Sequence, residues 1–211
     1  MIDEAEPLAV NSGALSLTVP RRFEAAAETP LEIWCGTAHA TGGPARPGEG
    51  RRLVRKLQAE GRCCSRPVFS TEAITGRYFC CTCRFWWNAS HSARIIVAAR
   101  CARPVGVDVQ VHSHRPAALR WLKRTTNASF PLSIAHWTLA EAYWKGIGMA
   151  RHMPAVGAFT LPEFIAAGWG SHVFSGTAES LYLFKPGKQT SFAAVLPPDT
   201  VEPRIHAPRP C

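Results

Sequence analysis

From Ala73 through Pro162 the chain carries eleven lysines and arginines but only two carboxylates, Asp108 and Glu141. Asp108 lies in "VGVDVQV", where the strand period of two sets Val105, Val107, Val109 and Val111 on one face and Gly106, Asp108 and Gln110 on the other. Glu141 lies in "IAHWTLAEAYWKGI", where helical spacing puts Trp137, Glu141 and Lys145 on a shared face, with Leu139, Tyr143 and Ile147 offset from them. One carboxylate from a strand and one from a helix, set among basic groups, is what a magnesium ion holding a polyphosphate requires. Hard oxygens take the metal, and Lys or Arg takes the remaining phosphate charge. The same residues also fit plainer roles: Glu141 and Lys145 as a surface pair worth a few tenths of a kcal/mol, and Asp108 as an acid on an exposed strand face. A third element, "WNASHS" at 87–92, sets His91 between two serines, where an imidazole and hydroxyls can meet a phosphate. A lone histidine is more often structural, so this element counts only together with the two acids.

The elements that must position these residues are readable in outline. "LEIWCGTA" predicts a strand, "TGGPARPGEG" a loop and "RRLVRKLQAEG" a helix closed by its glycine. "PVFSTEAITGRYF" predicts a strand running into a glycine turn. "ARIIVAARC" and "VGVDVQV" are the strongest strand candidates, joined by "ARP", which suits a hairpin or a crossing between strands. Residues 116–124 predict a helix with proline in its first turn, and 134–147 a stronger one with Ser133 as N-cap. "AFTLPEFIAAG" has no clear period, and "HVFSGTAESLYLFKPGKQTSFAAVLP" predicts two or three antiparallel strands. This order predicts an α+β fold. It permits two similar halves with a cleft between them, at 31–103 and 104–196, with an N-terminal tail over 1–30 and a proline-rich tail over 197–211. No sequence repeat accompanies that division.

With 211 residues, 46% hydrophobic and 18% charged, the chain can bury an ample core without disulfide staples. No apolar run approaches the roughly 18 residues of a membrane span, and the acidic opening "MIDEAEP" is unlike a secretory signal, so a cytoplasmic protein without membrane contact is expected. The net charge of +9 is uneven, because residues 31–211 hold 22 basic and 10 acidic side chains. A field of that sign favours an anionic partner without choosing among nucleic acid, phosphorylated small molecule and acidic protein. Among the eight cysteines, Cys63, Cys64, Cys80, Cys81 and Cys83 fall close together, and Cys80 and Cys83 have zinc-knuckle spacing. A second such pair is missing and Cys63 and Cys64 are adjacent, which favours small buried thiols over a structural zinc.

Taken together, "WNASHSARIIVAA", "PVGVDVQ" and "HWTLAEAYWKGIG" resemble, in the same order, the Sfp-type 4'-phosphopantetheinyl transferases. The signatures of that family are a Ser-His-Ser segment, a Gly-x-Asp-x-Glu strand and a Trp-[Ser/Thr]-x-Lys-Glu-x-x-x-Lys helix. The clear resemblance covers 69–150, with weaker likeness in "RPGEGRRLVR" and in "FSTEAITGR", where the family usually has a Gly-Lys-Pro turn. It implies two α+β halves in one chain, a monomer being the simpler form, with coenzyme A bound in the cleft between them. The implied reaction moves phosphopantetheine from coenzyme A to a serine of an acyl or peptidyl carrier protein and releases 3',5'-ADP. By resemblance Asp108 and Glu141 would hold magnesium with help from Gln110, and Glu141, or a water it orients, would take the serine proton. Lys145 and His91 would bind phosphate oxygens, Asn88 and Ser90 would line the same pocket, Gly76 and Arg77 would stand at the family's turn, and Arg46 would reach the 3'-phosphate.

The chain departs from that pattern at Gln110, where the family has glutamate, and at Ala140, where it has lysine. The stretch from Asp108 to Glu141, a region that normally contributes to carrier docking, is also short for the family. Two other readings stand beside the enzyme: a catalytically inactive relative that binds coenzyme A, and a basic nucleic-acid-binding module using seven tryptophans for stacking. The second is disfavoured because the tryptophans in "RFWWN", "RWLKR" and "AHWTLAEAYWK" fall mostly at core-like positions, so no nucleic acid partner is expected. A fatty-acid, polyketide or nonribosomal-peptide carrier is equally compatible, since carriers tend to be acidic and this body is basic.

Overall fold

Runs of β-branched and aromatic residues in this chain pair into two antiparallel sheets, and each sheet is covered on its outer face by helix. The structure, a computed structural model, describes residues 15–17, 21–25, 29–38, 48–64, 69–71, 78–113, 115–149 and 156–198. The first sheet contains β1 (Leu15–Leu17), β2 (Arg21–Ala25), β3 (Thr29–Ala38), β4 (Phe69–Thr71), β5 (Tyr78–Cys80), β6 (Trp86–Ser92) and β7 (Ile95–Cys101). Its order is β1-β3-β7-β6-β5-β4, with β2 also pairing β3. The second sheet contains β8 (Gly106–Val111), β9 (Gly168–His172), β10 (Ser180–Pro186) and β11 (Thr190–Leu196), in the order β8-β11-β10-β9. The "ARP" segment is therefore a crossing: it carries the chain from β7 in one sheet to β8 in the other.

Among the described residues three α-helices complete the architecture: α1 (Glu49–Leu57), α2 (Pro116–Thr126) and α3 (Ile134–Gly146). Leu53, Val54 and Leu57 of α1 pack on Trp34, Trp87, Ile96 and Ala98 of the first sheet. Leu122 of α2 and Leu139, Ala140, Tyr143 and Trp144 of α3 pack on Tyr182, Phe184, Ala193 and Val195 of the second. A third cluster fills the space between the sheets, where Val105, Val107 and Val109 meet Leu31, Ile33, Val97, Ala99 and Leu196. The layers thus run helix, sheet, sheet, helix. The expected mixed α+β fold holds, and the chain changes sheet between β7 and β8.

Several elements differ from the sequence reading. The expected tail over 1–30 contains β1 and β2, which pair with β3 at Leu15↔Ala38 and Phe23↔Leu31. The physical reason is that β3 faces β7 with one edge only, and its other edge carries backbone donors and acceptors that need partners. "WNASHS" is itself a strand, β6, and lies between β5 and β7. The first helix starts at Glu49 and runs past Leu57 into a π turn over Gln58–Arg62, which Gly61 closes at φ 74° as its lack of a side chain allows. The proline-rich tail lies outside the described residues beyond Pro198. No helix among the described residues is long and apolar enough to cross a membrane.

Candidate functional site

The polar face of β8 does not look into solvent. Asp108 is 1% exposed and Gln110 5%, because α3 crosses over this face and β6 closes its edge. Gly106 is what permits the crossing: a Cβ there would lie 1.9 Å from the carbonyl oxygen of Ala142 and 2.3 Å from the nitrogen of Gly146. Only a glycine lets strand and helix approach this closely, and that approach brings the two lone carboxylates together. On the other side, β8 is an edge strand of its sheet, and side chains of β6 satisfy its free backbone. The Val107 N–H donates to Asn88 Oδ1 at 3.1 Å and the Val111 N–H to Ser92 Oγ at 3.0 Å.

Five side chains meet here. Lys145 Nζ donates to Asp108 Oδ1 at 2.6 Å and to Ser90 Oγ at 2.9 Å, while Ser90 Oγ donates to the same Asp108 oxygen at 2.7 Å. Gln110 Nε2 donates to Asp108 Oδ2 at 2.8 Å and to Glu141 Oε2 at 2.7 Å. A single amide nitrogen therefore bridges the strand carboxylate and the helix carboxylate. Neither plainer reading survives: Asp108 is buried, and Glu141 and Lys145 both turn inward to β8. Burial pushes the Glu141 carboxyl up to about 7; the charge of Asp108 adds to the rise, and Lys145 and Arg115 oppose it.

The donor set suits a hard cation. Asp108 and Glu141 offer carboxylate oxygens within reach of one point, and Gln110 Oε1 is buried with no hydrogen-bond partner among the described residues. An amide that exchanges its nitrogen for its oxygen would offer a third oxygen ligand in place of two donors. Without a metal, the two N–H groups of Gln110 and the ammonium of Lys145 offset the carboxylate charge instead. A glutamate at 110 would put a third carboxylate beside Asp108 and Glu141, with no amide to join them.

The other expected site residues divide. Ser90 joins the cluster. Asn88 neighbours it, but its side-chain oxygen is taken by the β8 backbone, so it holds two strands in place. His91 is separated from the acids: along β6, Asn88, Ser90 and Ser92 face β8, whereas Trp87 and Ala89 face α1, and His91 shares their side. The reason is strand alternation, since a residue next to Ser90 must point to the opposite face. Arg46, Gly76 and Arg77 lie outside the described residues. Ala140 is wholly buried between α3 and its sheet, where a lysine would have to bury its charge. Sequence reasoning missed Ser92 as an edge cap, although the period-two polar stripe of 88, 90 and 92 is its visible signal. It also missed Arg115, whose charge acts on Glu141 from the N-terminal end of α2; no spacing in the sequence indicates that approach.

Four of the seven tryptophans, Trp34, Trp86, Trp87 and Trp144, are buried. Trp34 stacks on Trp87 at 5.4 Å, and Trp121, Trp137 and Trp144 form an edge-on group between α2 and α3. These rings are packing groups. The exposed face of α2 carries Arg120, Lys123 and Arg124 around a depression of about 530 Å³. Comparison with protein-family models and with curated proteins finds no match for this chain.

Proposed function

We propose that the protein is a magnesium-dependent 4'-phosphopantetheinyl transferase that converts an apo carrier protein to its holo form. The observation that carries this reading is the shared contact of Asp108 and Glu141 with one nitrogen of Gln110, which brings the carboxylates of two of the three resembling motifs together. Ser90 of the third motif and Lys145 complete the group. The fold adds support: each half is an antiparallel sheet with helix on its outer face, as a pseudo-duplicated chain would have, and coenzyme A would bind in the cleft where the halves meet.

Asp108, Glu141 and the turned amide oxygen of Gln110 would hold magnesium, which when bound offsets charge on the transferring and leaving phosphate oxygens. Lys145 moves its ammonium from Asp108 to the phosphate oxygens of coenzyme A. Glu141, or a water it orients, accepts the proton of the carrier serine. The serine oxygen bonds to the phosphorus of the pantetheine-linked phosphate as that phosphorus loses its bond to the bridging oxygen, and 3',5'-ADP leaves. The basic face of α2 offers an acidic carrier complementary charge.

A second reading is favoured by one observation: Gln110 and Lys145 already satisfy both carboxylates without a metal, as in a relative that binds coenzyme A but does not turn it over. Incubation with coenzyme A, magnesium and a panel of apo fatty-acid, polyketide and nonribosomal-peptide carriers, read by intact mass, separates the two. The phosphopantetheine adduct is expected on at least one carrier with the native chain and on none with Asp108→Ala or Glu141→Ala. Near-normal turnover in either variant refutes the assignment, and coenzyme A binding without any adduct selects the inactive relative.

A further inference from the structure

The cysteines that spacing alone assigned to buried packing converge. Cys63 and Cys64 follow the π turn that ends α1, Cys80 ends β5, and Cys83 lies in the turn to β6. The sulfur atoms of these four residues all lie within 4.8 Å of one another. Cys63 Sγ is 3.4 Å from Cys83 Sγ and 3.9 Å from Cys64 Sγ, and Cys64 Sγ is 3.5 Å from Cys80 Sγ. Sulfurs bound to one tetrahedral zinc, each about 2.3 Å from the metal, stand about 3.8 Å apart. The observed separations bracket that value and exceed the roughly 2 Å of a disulfide. We propose that Cys63, Cys64, Cys80 and Cys83 form a tetrathiolate zinc site, separate from the magnesium site of the proposed transferase.

The backbone around the cluster is built to present it. Gly61 turns the chain at φ 74° just before the Cys63–Cys64 pair. A tight turn, closed by Arg84 N–H to Cys80 O at 2.8 Å and Cys80 N–H to Phe85 O at 2.9 Å, brings Cys83 back beside Cys80. The guanidinium of Arg100 also fastens this corner: it donates to the Arg62 carbonyl and to Glu32 Oε2, and lies 4.7 Å from the Phe85 ring centre. Cys81, between the paired ligands, points away and packs at the inter-sheet core. The adjacency of Cys63 and Cys64 is no obstacle, because Cys63 Sγ meets Cys83 Sγ and Cys64 Sγ meets Cys80 Sγ while the two remain 3.9 Å apart.

The site would staple the end of α1 to the β5–β6 turn. That corner carries weight because α1 rests on β6, with Gly50 against Ala89, and β6 supplies Ser90 to the carboxylate cluster. A metal tying residues 63–64 to 80–83 restricts the unfolded chain as a crosslink does, and much of its binding free energy becomes folding free energy.

The test uses the full chain, purified under reducing conditions and loaded with zinc alone. Native mass and metal analysis are expected to give about one zinc per chain, and cobalt in its place the intense visible bands of a tetrahedral tetrathiolate. Alkylation read by intact mass should add four fewer groups with zinc than without it. Cys64→Ser and Cys83→Ser should each lose zinc to a competing chelator, while Cys35→Ser, outside the cluster, retains it. Removing zinc from the native chain should lower the thermal midpoint by several degrees. Absence of bound metal after loading, unchanged alkylation, or a mass showing two disulfides in place of zinc overturns the proposal. None of these readouts involves coenzyme A, so the zinc site can fail while the transferase reading stands, and the reverse.

Discussion

The raised Glu141 carboxyl leads to a prediction with a definite sign. Its ordinary value is 4.5 and in the fold it reaches about 7, first through burial and then through the charge of Asp108. Over that window the native chain holds a proton that the unfolded chain has released, so stability falls as pH rises. The shift corresponds to about 3 kcal/mol between full protonation and full ionisation. Glu141→Gln keeps an acceptor for Gln110 Nε2 and removes the titration. In magnesium-free buffer the variant should match the native chain near pH 4 and exceed it by up to about 3 kcal/mol near pH 8.5. Urea unfolding followed by tryptophan fluorescence across this range measures the difference. Adding magnesium at the alkaline end should stabilise the native chain, by RT ln(1 + [Mg]/Kd), and leave the variant where it was. Parallel stability curves from acid to alkaline pH, or a variant weaker by the same amount throughout, would refute the assigned origin of the shift.

Other consequences follow from the same geometry. Gly106→Ala forces a methyl group into the Ala142 carbonyl and the Gly146 backbone, so it should lower stability by more than about 3 kcal/mol, or leave little soluble chain, in a denaturant titration. Asp108→Ala leaves Lys145, whose side chain is 22% exposed, without its carboxylate; unfolding should become easier by about 2–4 kcal/mol, besides the loss of the proposed transfer. Gln110→Glu should preserve transfer or lower the magnesium it needs, while the magnesium-free chain becomes less stable above neutral pH because three carboxylates then share the site; a chain inactive at every magnesium concentration would mean that the amide itself has a role. Asn88→Ala should weaken the hold of β6 on β8, which amide exchange would detect first at Val107.

Local chemistry was legible in the sequence wherever it depended on neighbours along the chain. The valine alternation of 105–111 did place one face of β8 in the core, and Ser133 does open α3, its backbone N–H donating to His136 Nδ1 at 3.1 Å. The spacing of Glu141 and Lys145 did put both on one face, and the turn at Gly187, closed to Thr190 at 2.7 Å, does separate two strands. These features arise because strand and helix periods and turn geometry are set within a few residues.

What joins distant segments was decided only by packing. Periodicity along a strand says which residues share a face, but not which element will cover it. So the burial of Asp108 and its meeting with Glu141 through Gln110 came from the stacking of layers. The strands within 1–30 were illegible for a similar reason: their short, mixed sequences gain stability from the open edge of β3, which lies outside them. The cysteines make the same point, since Cys63–Cys64 and Cys80–Cys83 converge through the end of α1 and the β5–β6 turn, and no spacing rule encodes that encounter. Residue types and local periods determined what each segment could contribute; close approach, above all that of β8 to α3 at Gly106, decided which contributions meet.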